Sequence, residues 1–191
     1  MTKNIAIVNG SLRKGSFNQS IVDYVKSTLE SKGYSVTQLD ISNLPLMNQD
    51  IEFPAPVAVS EIRKELKKAD ALWIVTPEYN GSVPGPLKNM LDWISRPVER
   101  GIFGAPEFVK GKLVAISGAA GRSAASLVLS ELKGLLKRMA MSPLDETVGI
   151  TLPMEAFQTG KLILTDEHKN IIDHVIEKFL VVLNEKELVK A

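Results

Sequence analysis

The sequence predicts an α/β protein, a parallel sheet covered by helices on both faces. Two observations carry this. Short apolar runs alternate with longer amphipathic segments along the chain, the pattern of a βαβ series. The most unusual polar stretches also follow directly after apolar runs, where sheets of this class place their ligands.

The elements follow in order. Ile5-Ala6-Ile7-Val8 lies in a first strand, 4–9, and Ile21, Val25 and Leu29 give the stripe of a first helix. A second strand spans 35–40, and Ile62 and Leu66 mark a helix ending before Ala69. The third strand is 71–76, and a helix carrying Leu87, Leu91 and Ile94 is entered through Pro84 and Pro86, residues suited to a first turn. A fourth strand, 112–117, precedes Val128, Leu132, Leu135 and Met139 on a fourth helix. A fifth strand at about 144–150 leads to a last helix with Ile172, Val175, Ile176 and Phe179; Thr165 is placed to cap it, and Asp166 and Glu167 suit its dipole. Only 41–57 and 151–164 are long and patternless, and such connections are uncommon unless functional. Five strands in this arrangement make a flavodoxin-like or Rossmann-like sheet, with residues 1–191 as one domain.

Composition narrows the function. Lys plus Arg number 23 against 22 Asp plus Glu, a net charge of +1, which gives no electrostatic case for nucleic acid or an anionic membrane surface. No apolar stretch is long enough to span a bilayer and the N-terminus lacks a signal-peptide core, so a cytoplasmic location is expected. Cysteine is absent, which removes thiol redox chemistry, thiolate zinc sites and iron–sulfur clusters, so a redox role needs a bound cofactor. His168 and His174 lie near the C-terminus, far from every glycine-rich loop, and read as surface residues. No metal site is expected.

The crevice rule brings together three loops, 10–18, 76–85 and 117–122. The first, Gly10-Ser11-Leu12-Arg13-Lys14-Gly15-Ser16-Phe17-Asn18, joins a strand to a helix start, where free backbone N–H groups and the positive end of the dipole favour an anion. Gly10 and Gly15 have the Walker A separation, but Ser16 and Phe17 stand where that loop needs Lys and Ser/Thr, and Leu12 and Arg13 break the dinucleotide fingerprint. Taken alone, the loop fits either a terminal-phosphate site or a plain turn in which Ser16 and Gln19 form a capping box. In the second loop Pro77 stiffens the strand exit, Gly81 and Gly85 permit unusual backbone angles, and Tyr79 offers a flat apolar face for a planar ring. The third, Ser117-Gly118-Ala119-Ala120-Gly121-Arg122, is small enough for its backbone to approach a ligand. Trp73 and Trp93 read as core or interface residues, and Arg122 as solvated, as a partner for an anionic phosphate group or as part of a subunit interface.

Gly10-Ser11-Leu12-Arg13 through Asn18, with Thr76-Pro77-Glu78-Tyr79-Asn80, Ser82-Val83-Pro84-Gly85 and Leu87-Lys88-Asn89 followed by Asp92-Trp93, resembles the NADPH-dependent FMN reductase family, and within it the bacterial quinone and chromate reductases. Leu44 to Asp50 resembles that branch's loop after the second strand. The resemblance implies a flavodoxin-like three-layer sandwich with strand order 2-1-3-4-5, one non-covalent FMN per subunit, and a homodimer or a tetramer built from dimers. By the same resemblance Ser11, Arg13, Ser16, Phe17 and Asn18 hold the FMN phosphate and ribityl chain; Pro77, Glu78, Tyr79 and Asn80 line the isoalloxazine; Ser117 and Gly118 close the pocket. Relatives often carry a second glycine after Ser-Gly, where this chain has Ala119.

The implied chemistry is ping-pong hydride transfer from NADPH or NADH through FMN to a small acceptor such as a quinone, chromate, or an azo or nitro compound. No protein acid or base is assigned to it, and Glu78 is expected to serve as a structural hydrogen-bonding group rather than a proton donor. Two alternatives stand beside it. A flavodoxin-type electron carrier would use the same fold and cofactor, although the balanced charge and Arg13 argue against it, and a phosphate- or nucleotide-binding module would lack redox activity.

Overall fold

The computed structural model describes residues 2–188. Its elements are β1 (Asn4–Asn9), α1 (Phe17–Ser31), β2 (Ser35–Leu39), α2 (Val57–Lys68), β3 (Ala71–Thr76), α3 (Gly85–Ser95), β4 (Leu113–Ala120), α4 (Ser126–Arg138), β5 (Ser142–Thr151), α5 (Met154–Thr159) and α6 (Asp166–Leu188). The five strands form one parallel sheet in the order β2-β1-β3-β4-β5, the expected topology.

Strands β1, β3 and β4 are buried on both faces, which explains why they read as continuous apolar runs. Alternate residues point to opposite cores. Ala6, Val8, Leu72, Ile74, Val114 and Ile116 join one apolar cluster with α2, α3 and α4. Ile5, Ile7, Trp73, Val75 and Ala115 join another with α1 and α6. Trp73 belongs to the core: it lies edge-on to Phe179 at 5.2 Å and its indole N–H donates to Ser117 Oγ at 2.9 Å. Because α1 packs on one face and α2 and α3 on the other, the loops after β1 and β3 part at the β1/β3 boundary, and the crevice opens there.

The structure revises three sequence expectations. Strand β4 runs to Ala120, so Ser117 and Gly118 belong to the sheet and the third loop begins at Gly121. Packing demands glycine at Gly118, where a Cβ would lie 2.3 Å from the Thr76 carbonyl oxygen, and at its β5 neighbour Gly149, where one would lie 2.2 Å from that of Ala124. Second, the 151–164 stretch contains α5, with Pro153 at its N-cap and Gly160 in the left-handed conformation at its end. Third, Ser16 occupies the N-cap of α1 but makes no side-chain cap, because the Gln19 carboxamide accepts from Asn9 Nδ2 at 2.9 Å and donates to Asp23 at 2.8 Å instead. Thr165 does cap α6: its hydroxyl accepts from the His168 N–H at 3.2 Å. His174 is exposed.

The other long connection, 41–56, is pinned against α3. Asn89 donates to the Pro45 carbonyl at 2.9 Å and accepts from the Met47 N–H at 2.7 Å, while the Trp93 indole N–H donates to the same carbonyl at 2.8 Å. Farther along, the buried Glu52 carboxylate accepts from Arg96 Nε at 2.7 Å and Nη2 at 3.1 Å, and buried Arg63 donates to the Trp93 carbonyl. The bidentate bond from Arg96 outweighs burial and holds the Glu52 carboxyl below its ordinary value.

Replacing Arg96 with Ala leaves that buried carboxylate short of partners and is expected to cost about 2 kcal/mol at neutral pH. A carboxyl with a lowered folded-state pKa contributes fully above its unfolded value and loses the contribution as pH falls through the folded value. The gap between wild type and R96A in urea denaturation should therefore be constant from neutral pH to about 5 and shrink below about 4.5. A gap that grows on acidification would refute this assignment.

Candidate functional site

The β1–α1 loop is organised by its own polar side chains. Gly10 N–H donates to the Val75 carbonyl at 2.7 Å, tying the loop to β3. Asn9 Oδ1 accepts from the Ser11 N–H at 3.0 Å, Ser11 Oγ from the Arg13 N–H at 3.3 Å, and the Arg13 carbonyl from the Ser16 N–H at 3.0 Å. These bonds leave the N–H groups of Leu12, Lys14, Gly15, Phe17 and Asn18 with no acceptor among the described residues. Free donors gathered at the start of α1 form a site for an anion, and the exposed Arg13 adds a positive charge. The Arg13 guanidinium sits 4.4 Å above the Phe17 ring.

Asn18 does not point into that donor set. It is buried, its Oδ1 accepts from the Ala119 N–H at 2.8 Å and its Nδ2 donates to the Ala119 carbonyl at 3.2 Å, so its carboxamide extends the hydrogen bonding of β4 and locks the first loop to the third. Ser117 is likewise turned away. It is fully buried and accepts from Trp73 on the α1/α6 side, while Gly118 lies within the sheet. Ala119 and Ala120, which end β4, are buried as well, one in each core.

The β3–α3 loop folds as a tight hairpin. Tyr79 and Ser82 exchange two backbone bonds of 3.2 and 3.0 Å around Asn80 and Gly81, both at positive φ (54° and 74°), which is the signature of a type I′ turn. Tyr79 and Asn80 are exposed on the turn, whereas Pro77 is buried. Glu78 points back toward α4. One carboxylate oxygen accepts from Ser123 Oγ at 2.5 Å, the other from the Leu127 and Val128 N–H groups, each at 3.0 Å. It is thus the N-terminal cap of α4, whose own N-cap residue, Ala125, supplies none. Glu131 returns the favour, accepting from Ser82 Oγ at 3.0 Å and the Val83 N–H at 3.1 Å.

The turn that Glu78 secures is strained. Ala124 and Ala125 lie consecutively at φ 48° and 62°, where alanine rarely sits, and Ser123 and the α4 amides hold them there through Glu78. Arg122 is exposed beside this turn. Sequence reasoning missed Glu131, which looks like any solvated acid on a helix, and the capping pattern of Glu78, which spans 49 or 50 residues.

The three loops therefore place an anion-binding helix start and a rigid, partly apolar turn on either side of one crevice. The donor set suits a terminal phosphate and the exposed Tyr79 face suits a flat ring. Among the described residues no three His, Asp or Glu side chains gather to hold a metal ion, and no helix is long and apolar enough to cross a membrane.

Known proteins share this arrangement. Residues 3–152 match the family model described as NADPH-dependent FMN reductase. The chain is 34% identical over 172 residues to an NAD(P)H-dependent FMN reductase of Pseudomonas aeruginosa, with 89% of each chain covered. It is 30% identical over 179 residues to a quinone reductase of Escherichia coli, with 92% of each covered. Among solved structures, a flavoenzyme NAD(P)H:acceptor oxidoreductase from Paracoccus denitrificans superposes with a TM-score of 0.82 at 27% identity, over 96% of this chain and 98% of the other. With its sheet order, its phosphate-competent loop and this match over most of its length, the chain belongs to the NADPH-dependent FMN reductase family of oxidoreductases.

Proposed function

We propose that the crevice binds FMN, with its phosphate on the β1–α1 loop and its ring against the Tyr79 turn, and that the protein passes reducing equivalents from NAD(P)H to quinones and other small acceptors, chromate and azo or nitro compounds among them. The observation that carries this reading is the set of backbone N–H groups left free at the start of α1 beside Arg13, facing the hairpin across the β1/β3 boundary. Family membership makes the protein an FMN- and NAD(P)H-dependent oxidoreductase.

FMN supplies the hydride-accepting and hydride-donating chemistry; the protein supplies position and charge. Leu12, Lys14, Gly15 and Phe17 donate backbone N–H groups to the phosphate, and Arg13 provides the charge-assisted contact, with the Ser11 and Ser16 hydroxyls beside it. The Asn18 carboxamide holds the loop in shape, while its backbone N–H stays with the free donors. Tyr79 and Asn80 border the ring, and Pro77 and Glu78 fix their turn from behind. Ser117 and Gly118 contribute packing beneath the floor of the crevice. NAD(P)H and the acceptor would use the one ring in turn, which is a ping-pong order.

Leu46, Val57 and Phe103 leave apolar side chains 82%, 75% and 93% exposed, surface that a homodimer or a tetramer of dimers would cover. We place this activity in the cytoplasm.

Anaerobic addition of NADPH or NADH to FMN-loaded protein should bleach the flavin, and a quinone added afterwards should restore its colour. A flavin that binds but does not respond to either nucleotide would favour an electron carrier, and failure to take up FMN would favour a phosphate-binding module without redox activity. Arg13→Ala is expected to weaken FMN binding about tenfold while leaving riboflavin binding within about twofold, read by quenching of flavin fluorescence.

Glu78→Gln sets an amide against the α4 N–H groups or the Ser123 hydroxyl. It should lower stability by about 1–2 kcal/mol and weaken FMN binding, with the rate of flavin reduction at full occupancy changed less than about threefold. A collapse of that rate at normal occupancy in stopped-flow measurements would give Glu78 a chemical role instead.

A further inference from the structure

We infer that Phe157, on the short helix α5, is a positioning residue that makes the site selective for phosphorylated flavin, an assignment that rests on the FMN reading above. It acts through a three-member stack. The Phe157 ring meets Phe17 edge to face, centroids 5.6 Å apart at 77°, and Phe17 carries the Arg13 guanidinium at 4.4 Å on its face.

Arg13 forms no ion pair with a described carboxylate, so the Phe17 ring is what orders its otherwise flexible side chain. That ring is in turn held by its T-shaped contact with Phe157. Phe157 is itself 55% exposed, too open to be a core residue, and its ring contact is with the phosphate loop. Its helix is firmly seated. The Leu152 N–H donates to the Ala120 carbonyl at 2.7 Å, Ala156 and Leu162 are buried, and the Gly160 N–H closes the helix on the Ala156 carbonyl at 2.9 Å. Helix α5 thus links the end of β4 to the arginine of the phosphate loop.

Phe157 lies beyond residues 3–152, the part of the chain that the family model matches. The guanidinium faces a phosphate and has nothing to recognise in riboflavin, which lacks one. Phe157 therefore bears on the difference between the two flavins.

The test is a comparison of FMN and riboflavin dissociation constants, by fluorescence quenching, for wild type, Phe157→Ala, Phe157→Leu and Phe157→Tyr, with thermal unfolding as a check on folding. F157A and F157L should weaken FMN binding about three- to tenfold and riboflavin binding less than about twofold, while F157Y, which keeps the ring edge, restores FMN affinity. On an Arg13→Ala background the Phe157→Ala change should have no further effect on FMN. Equal losses for both flavins, unchanged FMN binding, or fully additive effects with Arg13→Ala would overturn the assignment. If the wild-type chain binds neither flavin, the FMN reading fails and this one with it; if it binds FMN and Phe157→Ala does not weaken that binding, only this one fails.

Discussion

A site that binds through backbone N–H groups must leave those groups free while satisfying every other polar group around them, and the architecture of this crevice follows from that constraint. An unpaired buried N–H is costly, so free donors survive only where a ligand or water can reach them. Here side chains absorb the remainder. Asn9 and Ser11 take the two N–H groups that would otherwise compete for the anion, and the Asn18 carboxamide completes the end of β4 instead of intruding on the donors. What is left at the start of α1 is a set of N–H groups with no acceptor among the described residues.

The same economy governs the hairpin side of the crevice. The hairpin at Asn80-Gly81 has only two backbone bonds of its own, too few to hold a surface turn in one shape. Two carboxylates supply the rest: Glu78 reaches from the hairpin to cap α4, and Glu131 reaches from α4 to the hairpin at Ser82 and Val83. Turn and helix are mutually dependent, and the strained Ala124-Ala125 pair sits between them. The hairpin is made rigid by carboxylates that bond it to α4.

Much of this was legible in the sequence, and the exceptions have physical causes. Ile5 to Val8 and Ala71 to Val75 declare themselves because central parallel strands are apolar on both faces, and the three crevice loops follow from where those strands end. The end of β4 was hidden because Gly118, Ala119 and Ala120 resemble loop residues. Gly118 is small for a different reason, the proximity of the Thr76 carbonyl and Ala125, which only the fold creates. Helix α5 was hidden by its six-residue length, although Pro153 and Gly160 bracket it as helix boundaries should. The inward orientation of Ser117 and Asn18 could not be read at all: a serine and an asparagine in a crevice motif look like ligand contacts, and only the positions of Trp73 and Ala119 show that their polar atoms are already engaged.

The electrostatics of the crevice follow from those engagements. Glu78 is the acid of the hairpin, and its two oxygens receive three hydrogen bonds, two of them from the positively polarised end of α4. Its charge is thereby compensated at the start of α4, on the far side of the hairpin from the exposed turn of Tyr79 and Asn80. Arg13 and Lys14 are exposed at the other end of the crevice, and Arg122 beside the third loop. A chain with a net charge of only +1 can in this way present a locally positive crevice, one that favours a phosphorylated cofactor and an anionic dinucleotide without becoming a general anion-binding surface. A carrier that docks protein partners through its overall charge has no need of such local asymmetry, and the small net charge of this chain gives it little long-range field with which to steer them.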